Sequence, residues 1–270
     1  MIKDKFLKIN GYSTFNLKNY DLELYNKFLD CSFEISPNEI KNNMIEYRIS
    51  CHSTHDAKSL EEKIKNSLKK NSNIKEVYFQ GEDTSLINNS FYSYNLSFAI
   101  NSNEGTLHSV YEELLRIQEL FLSDINQAWF QTAYFDDAGE EDEKLDNKIK
   151  MFQELTTKIV GEFYEVNLKD YLTHANWRLQ ETYFPKDTYI KQHADGQNPG
   201  RLCALLFYLS PEWKPGYGGE LVLGNNEVII PPTTGNVVLL DFTENNIEHS
   251  VTNVNRDFGR FTFLTFFELK

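Results

Sequence analysis

His193-Ala194-Asp195, His249 and Arg260 are the residues of this chain whose types and order could do chemistry. Two imidazoles and a carboxylate can hold non-haem Fe(II) from one side and leave the opposite coordination positions open. An arginine beyond the second histidine, if buried, presents a planar fork of donors to a carboxylate, which suits a dicarboxylate co-substrate. An H-x-D pair beside a turn-forming Gly196-Gln-Asn-Pro-Gly200 is by itself most often a surface feature. What raises its weight is the strand-rich sequence that follows.

Residues 187–195 (DTYIKQHAD) mix apolar and polar positions and carry no helix signal, so a half-buried strand is expected. On a strand, i and i+2 share a face, so His193 and Asp195 would both point inward. Residues 201–209 (RLCALLFYL) read as a strand buried on both faces. Residues 218–223 (GGELVL) read as a turn feeding another strand, short strands follow at 227–230 and 236–241, and an aromatic strand at 260–269 closes the chain. Short strands at this spacing, broken by Gly and Pro turns, describe a sandwich or jelly roll. Arg256 is a rival to Arg260 for the carboxylate role. Arg260 is preferred because it opens the aromatic strand, whereas Arg256 sits in a polar turn.

Over about residues 174–269 the sequence resembles the catalytic domain of the prolyl 4-hydroxylase-like branch of the Fe(II)/2-oxoglutarate oxygenases, which includes the hypoxia-inducible-factor prolyl hydroxylases. The stretches that carry the resemblance are Tyr183 through Asp195, Gly200-Arg201 leading into Phe207 through Trp213, Gly218 through Leu221, His249-Ser-Val, and Arg260-Phe-Thr262. It implies a double-stranded β-helix, Fe(II) held by His193, Asp195 and His249, and 2-oxoglutarate and O2 as co-substrates, with ascorbate as a reductant. The implied reaction is hydroxylation of a C–H bond coupled to decarboxylation of 2-oxoglutarate to succinate and CO2. The resemblance further implies that Arg260 pairs with the distal carboxylate of 2-oxoglutarate, that Tyr183 and Tyr208 border it, and that Thr262 adds a hydroxyl contact. It makes Arg201 a substrate-facing arginine. The spacing from His249 to Arg260 is slightly long for the family, with Asn255 through Phe258 as an inserted turn. Related halogenases replace the triad carboxylate with a small residue. Asp195 therefore favours hydroxylation, or another oxidation such as desaturation or ring formation.

Arg178 lies on the segment entering the site and, with Arg201, could pair with a substrate carboxylate. A small carboxylate or amino-acid-like molecule is the first expectation for the substrate, and peptidyl-proline in a protein the second. A third reading, from another class, is a cupin-like metal- or ligand-binding protein that consumes no oxygen.

With 27 basic and 40 acidic residues the formal net charge is −13, which repels a phosphate backbone and argues against nucleic acid. No apolar stretch approaches the ~20 residues that span a bilayer. Three scattered cysteines, Cys31, Cys51 and Cys203, suit reduced thiols in a cytoplasmic setting. Cys51-His52 with His55 resembles half a zinc site without a second pair, and His108 and His174 have no sequence partners.

The expected fold class is α+β, in three parts. Residues 1–42 should form a strand at 5–16 and an amphipathic helix at 18–31 that packs on the oxygenase core. Residues 43–137 read β-α-β-β-α-β, the order of a ferredoxin-like module. Residues 138–270 form the oxygenase domain, beginning with a long supporting helix at 142–165 after the acidic run 136–143.

Overall fold

Strand alternation organises the molecule, seen here in a computed structural model that describes residues 2–35, 44–72, 74–87, 91–102, 107–134, 143–166, 179–184, 186–195, 200–224, 228–256 and 258–268. Its N-terminal half contains α1 (Lys5–Asn10), β1 (Tyr12–Asn16), α2 (Leu17–Tyr20), α3 (Leu22–Ile35), β2 (Met44–Ser53), α4 (Ala57–Leu68), β3 (Ile74–Ile87), β4 (Phe91–Ser102), α5 (Leu107–Phe121) and β5 (Ser123–Tyr134). The C-terminal half contains α6 (Glu143–Phe163), β6 (Leu179–Phe184), β7 (Ile190–His193), β8 (Arg201–Leu209), β9 (Leu221–Leu223), β10 (Val228–Ile230), β11 (Asn236–Asp241), β12 (His249–Val251) and β13 (Arg260–Glu268).

The apolar run of β8 is explained by its two covers. Leu205, Phe207 and Leu209 pack with Val237, Leu239, Phe263 and Phe267 under the helices, where Phe28 of α3 and Phe152 and Ile159 of α6 meet them. The alternate residues Ala204 and Tyr208 face the other way, into a cluster with Leu221, Leu223, Ile230 and Val251. A strand covered on both sides has no polar face to show, so its sequence is continuous rather than alternating.

Strands β11, β8, β13 and β6 lie side by side, as do β7, β12, β9 and β10. All these pairings are antiparallel. Passing from β6 to β13, the chain crosses repeatedly between the two layers, which gives the double-stranded β-helix its inner core. The first layer extends at one end through β1 on β11 and at the other through β5 on β6. Beyond β5 come β2, β4 and β3, again all antiparallel. Helices α4 and α5 cover them, with Leu60, Ile64, Leu114 and Ile117 against Ile49, Leu96 and Ile100. The N-terminal strands thus continue the sheet of the C-terminal half.

Three expectations change. Residues 5–10 are helix, because the Asp4 side chain accepts from Leu7 N at the start and Gly11, at φ 74°, ends it with its N–H on Leu7 O. The single helix at 18–31 becomes two, since Asp21 closes α2 and its side chain accepts from Glu23 N and Leu24 N to open α3. The strand at 187–195 is reduced to Ile190–His193, leaving Asp195 beyond its end. Arg178, His174 and most of the acidic run 136–143 lie outside the described residues.

Phe28 is wholly buried, with ring centroids 5.5 Å from Phe207, 6.0 Å from Phe263 and 6.4 Å from Phe152. Phe28→Ala should cost about 3–5 kcal/mol of stability. The check is a lowered urea midpoint at unchanged m-value.

Candidate active site

The triad is assembled by register. Strands β12 and β7 pair so that His249 stands directly opposite His193, and their rings lie 4.3 Å apart between centroids. Asp195 follows two residues after His193, and one ligand atom from each of the three lies within 4.8 Å of the others. His193 Nε2 is 3.5 Å from one Asp195 oxygen and His249 Nε2 is 3.5 Å from the other. On the far side of each ring, Nδ1 meets the backbone carbonyl two residues back, Lys191 O at 3.0 Å and Ile247 O at 3.2 Å. With Nδ1–H donating there, the Nε2 lone pair is directed to the common centre, as a ligating imidazole requires. The His249 side chain is 7% exposed, while His193 and Asp195 are 34% and 29% exposed, so the centre opens on the side of the latter two.

Electrostatics couple the three. Burial works against the Asp195 charge, but the hydrogen bonds and charges of the two imidazoles prevail and hold its carboxyl far below the usual range. Burial likewise opposes a charged His193, yet the hydrogen bond and charge of Asp195 raise its pKa above the ordinary value.

Arg260 is buried, at 1% exposure. Its Nε donates to Gly219 O at 2.6 Å and its Nη1 to Thr262 Oγ1 at 3.0 Å. The guanidinium stacks over Phe184 at 4.2 Å and sits 5.4 Å from the Tyr208 ring centre. Gly219 is required here: at φ 77°, a Cβ would come within 2.7 Å of Arg260 Cδ. Among the described residues no carboxylate lies within ion-pair distance of Arg260, and burial presses its pKa down to about 10 despite the compensating charges of Tyr208 and Glu220. The Tyr208 hydroxyl, beside Arg260, is also buried with no acceptor for its own proton among the described residues, and burial raises its pKa to about 12 against the opposing charge and hydrogen bond of Arg260. A wholly buried cation and an orphan hydroxyl side by side are costly unless an anion or acceptor completes them. A ligand carboxylate fits both.

The remaining site candidates divide. Thr262 is buried beside Arg260. Tyr183 is placed by its backbone opposite Phe261, the register position alternate to Arg260, and the ring against Arg260 belongs to the next residue, Phe184. Arg256 is exposed and rests over Tyr217 at 5.5 Å. Arg201 is engaged, with Nε on Glu268 Oε1 at 2.8 Å and Nη1 on Asp195 O at 3.3 Å. Phe184, Gly219 and Glu268 were not legible as site residues. Only the Gly218-Gly219 pair carried a signal, the left-handed backbone such a pair permits.

The 2OG-Fe(II) oxygenase superfamily model matches residues 179–268. Among solved structures, a Pseudomonas putida prolyl 4-hydroxylase is 18% identical, with TM-score 0.41, covering 54% of this chain and 73% of its own. A Trichoplax adhaerens prolyl hydroxylase, solved with a hypoxia-inducible-factor degradation-domain peptide, is 16% identical, with TM-score 0.47, covering 97% and 86%. A collagen prolyl hydroxylase of Paramecium bursaria Chlorella virus-1 is 16% identical, with TM-score 0.40, covering 54% and 81%. No curated protein matches the chain.

A proton on His193 competes with a metal ion for Nε2. The charged His193–Asp195 pair stabilises the apo fold below the unfolded histidine value, and that contribution is lost as pH rises through the raised His193 value. Co(II) affinity should therefore increase with pH across the same range, with proton release on binding. Calorimetry at pH 6–8 in buffers of different ionisation enthalpy checks this.

Proposed function

We propose that residues 179–268, which the 2OG-Fe(II) oxygenase superfamily model matches, form the catalytic domain of a 2-oxoglutarate-dependent Fe(II) dioxygenase, and that the chain hydroxylates an unactivated C–H bond of a small carboxylate or amino-acid-like molecule. The carrying observation is the buried Arg260 guanidinium with no carboxylate within ion-pair distance among the described residues, beside the Tyr208 hydroxyl whose proton has no acceptor among them, in the same fold as the His193–Asp195–His249 cluster.

The three clustered side chains would hold Fe(II) through two Nε2 atoms and one carboxylate oxygen. Arg260 would take the distal carboxylate of 2-oxoglutarate, with Thr262 fixing the guanidinium and Tyr208 donating its hydroxyl hydrogen bond. When bound, Fe(II) and 2-oxoglutarate supply oxidation of the C–H bond by O2, with succinate and CO2 as the co-products. The protein's part is to present Nε2 rather than Nδ1, to keep Asp195 ionised, and to exclude water around Arg260. Ionised Asp195 occupies the carboxylate position, which favours hydroxylation over halogenation.

A second reading, hydroxylation of peptidyl-proline, is favoured by one observation. Arg201, expected to meet a substrate carboxylate, already has Glu268 as its counter-ion. Arg178 would then be the remaining cation for a small acid. In the N-terminal half, the β3-β4-β2-β5 order with α4 and α5 on one side supports a ferredoxin-like module joined edge to edge with the oxygenase sheet. Among the described residues no helix is long and apolar enough to cross a membrane.

Arg260→Ala should raise the 2-oxoglutarate KM roughly 10- to 100-fold, the value of a lost charge-assisted hydrogen bond, while His249→Ala should abolish turnover. Succinate formation measures both; an unchanged KM in Arg260→Ala would remove the arginine from the co-substrate site. A panel of free amino acids, small carboxylates and proline-containing peptides then separates the substrates. Stimulated 2-oxoglutarate consumption by the small molecules is expected, and stimulation by peptides alone would establish the second reading.

A further inference from the structure

Asp195 is the ligand that its own strand does not hold. Strand β7 ends at His193, so the carboxylate that must meet both imidazoles sits beyond the last ladder residue. Its backbone is tied instead from across the core. Arg201 Nη1 donates to the Asp195 carbonyl at 3.3 Å, while the same guanidinium gives Nε to Glu268 Oε1 at 2.8 Å and stacks on Phe266 at 4.2 Å.

A backbone irregularity aims that arginine. Along β8 and β13, Ala204 pairs with Phe266 and Cys203 with Phe267, but the next pair is Arg201 with Glu268. Leu202 is the extra residue of a bulge, packed with Cys203 in the cluster under the helices. Without the bulge, alternation would send Arg201 to that helical side with Cys203 and Leu205. With it, Arg201 turns to the inner side, where Phe266 and Glu268 receive it.

We propose that Arg201 is a positioning residue for the metal centre: clamped by Glu268 and Phe266, it fixes the Asp195 backbone and so the place at which the Asp195 carboxylate meets His193 and His249. The inference rests on reading those three residues as the metal site. It differs from a substrate-binding role, because the two described donors of the fork are spent within the protein. A lysine cannot replace it, since one ammonium on a flexible stem does not hold a carboxylate and a carbonyl in one plane while stacking on a ring.

The test uses the full chain and Co(II) alone, titrated by calorimetry into wild type, Arg201→Gln, Arg201→Lys, Glu268→Gln and His249→Ala, with thermal melts alongside. Supports of a ligand typically carry 10- to 100-fold in metal affinity. Arg201→Gln should weaken Co(II) by about that factor and Arg201→Lys nearly as much, with Glu268→Gln less affected. The melting temperatures should stay close to wild type, and 2-oxoglutarate affinity at saturating Co(II) should be unchanged. If Arg201→Gln does not fold, Arg201→Lys carries the comparison. Co(II) binding at wild-type strength in the folded Arg201 variants overturns the inference and leaves the metal centre standing. A parallel loss of 2-oxoglutarate affinity at saturating metal also overturns it, by showing general loosening. No Co(II) binding by wild type, or binding that survives His249→Ala, removes the metal-centre reading and this inference with it.

Discussion

The pairing of β12 with β7 is the constraint on which the site depends. Because side chains alternate along a strand, His249 faces His193 in only one register, and a slip of one residue would send it to the opposite side of the layer. Val222, Leu223 and Val251 hold that register by burying their side chains, and the Nδ1 contacts to Lys191 O and Ile247 O turn the rings once the strands are in place. The metal ligands are therefore a consequence of sheet pairing, and their chemistry follows from which nitrogen the backbone has already taken.

The second constraint is an unpaired charge. Arg260 is fully buried, its stem pressed against Gly219 and its guanidinium over Phe184, with no described carboxylate within ion-pair distance. Such a group destabilises the empty fold and is relieved by an anion. One strand, β13, carries the buried arginine at one end and Phe266 and Glu268, the residues that hold Arg201, at the other.

The parts outside the jelly roll are not appendages. Phe28 and Leu24 of α3 share a core with Phe207 and Phe263, and the buried Asp241 at the end of β11 accepts from the Tyr164 hydroxyl at 2.9 Å, tying the end of α6 to the first layer. The β2–β5 strands join through β5 to β6 and reach β7 at Gln127 opposite Ile190. Backbone pairing thus links the N-terminal strands directly to β6 and to β7, the strand that ends at His193.

Much of this was legible in the residues. His193, Asp195 and His249 stood out because few residue types ligate iron. The strands at 201–209, 236–241 and 260–268 stood out because a doubly covered strand must be apolar throughout. The β-α-β-β-α-β order was readable from local periodicity. Local signals misled where a cap overrode propensity: Asp4 and Gly11 made a helix of residues 5–10, and Asp21 divided the helix predicted at 18–31. The sequence by itself determined the chemistry available and the elements that carry it. Tertiary structure alone decided that Arg260 is buried and Arg256 exposed, that Phe184 lies under the guanidinium, that the module's sheet continues the oxygenase sheet, and that a bulge at Leu202 turns Arg201 inward to Glu268. Those outcomes depend on which strands meet and in what register, and that is set by burial summed over residues far apart in the chain.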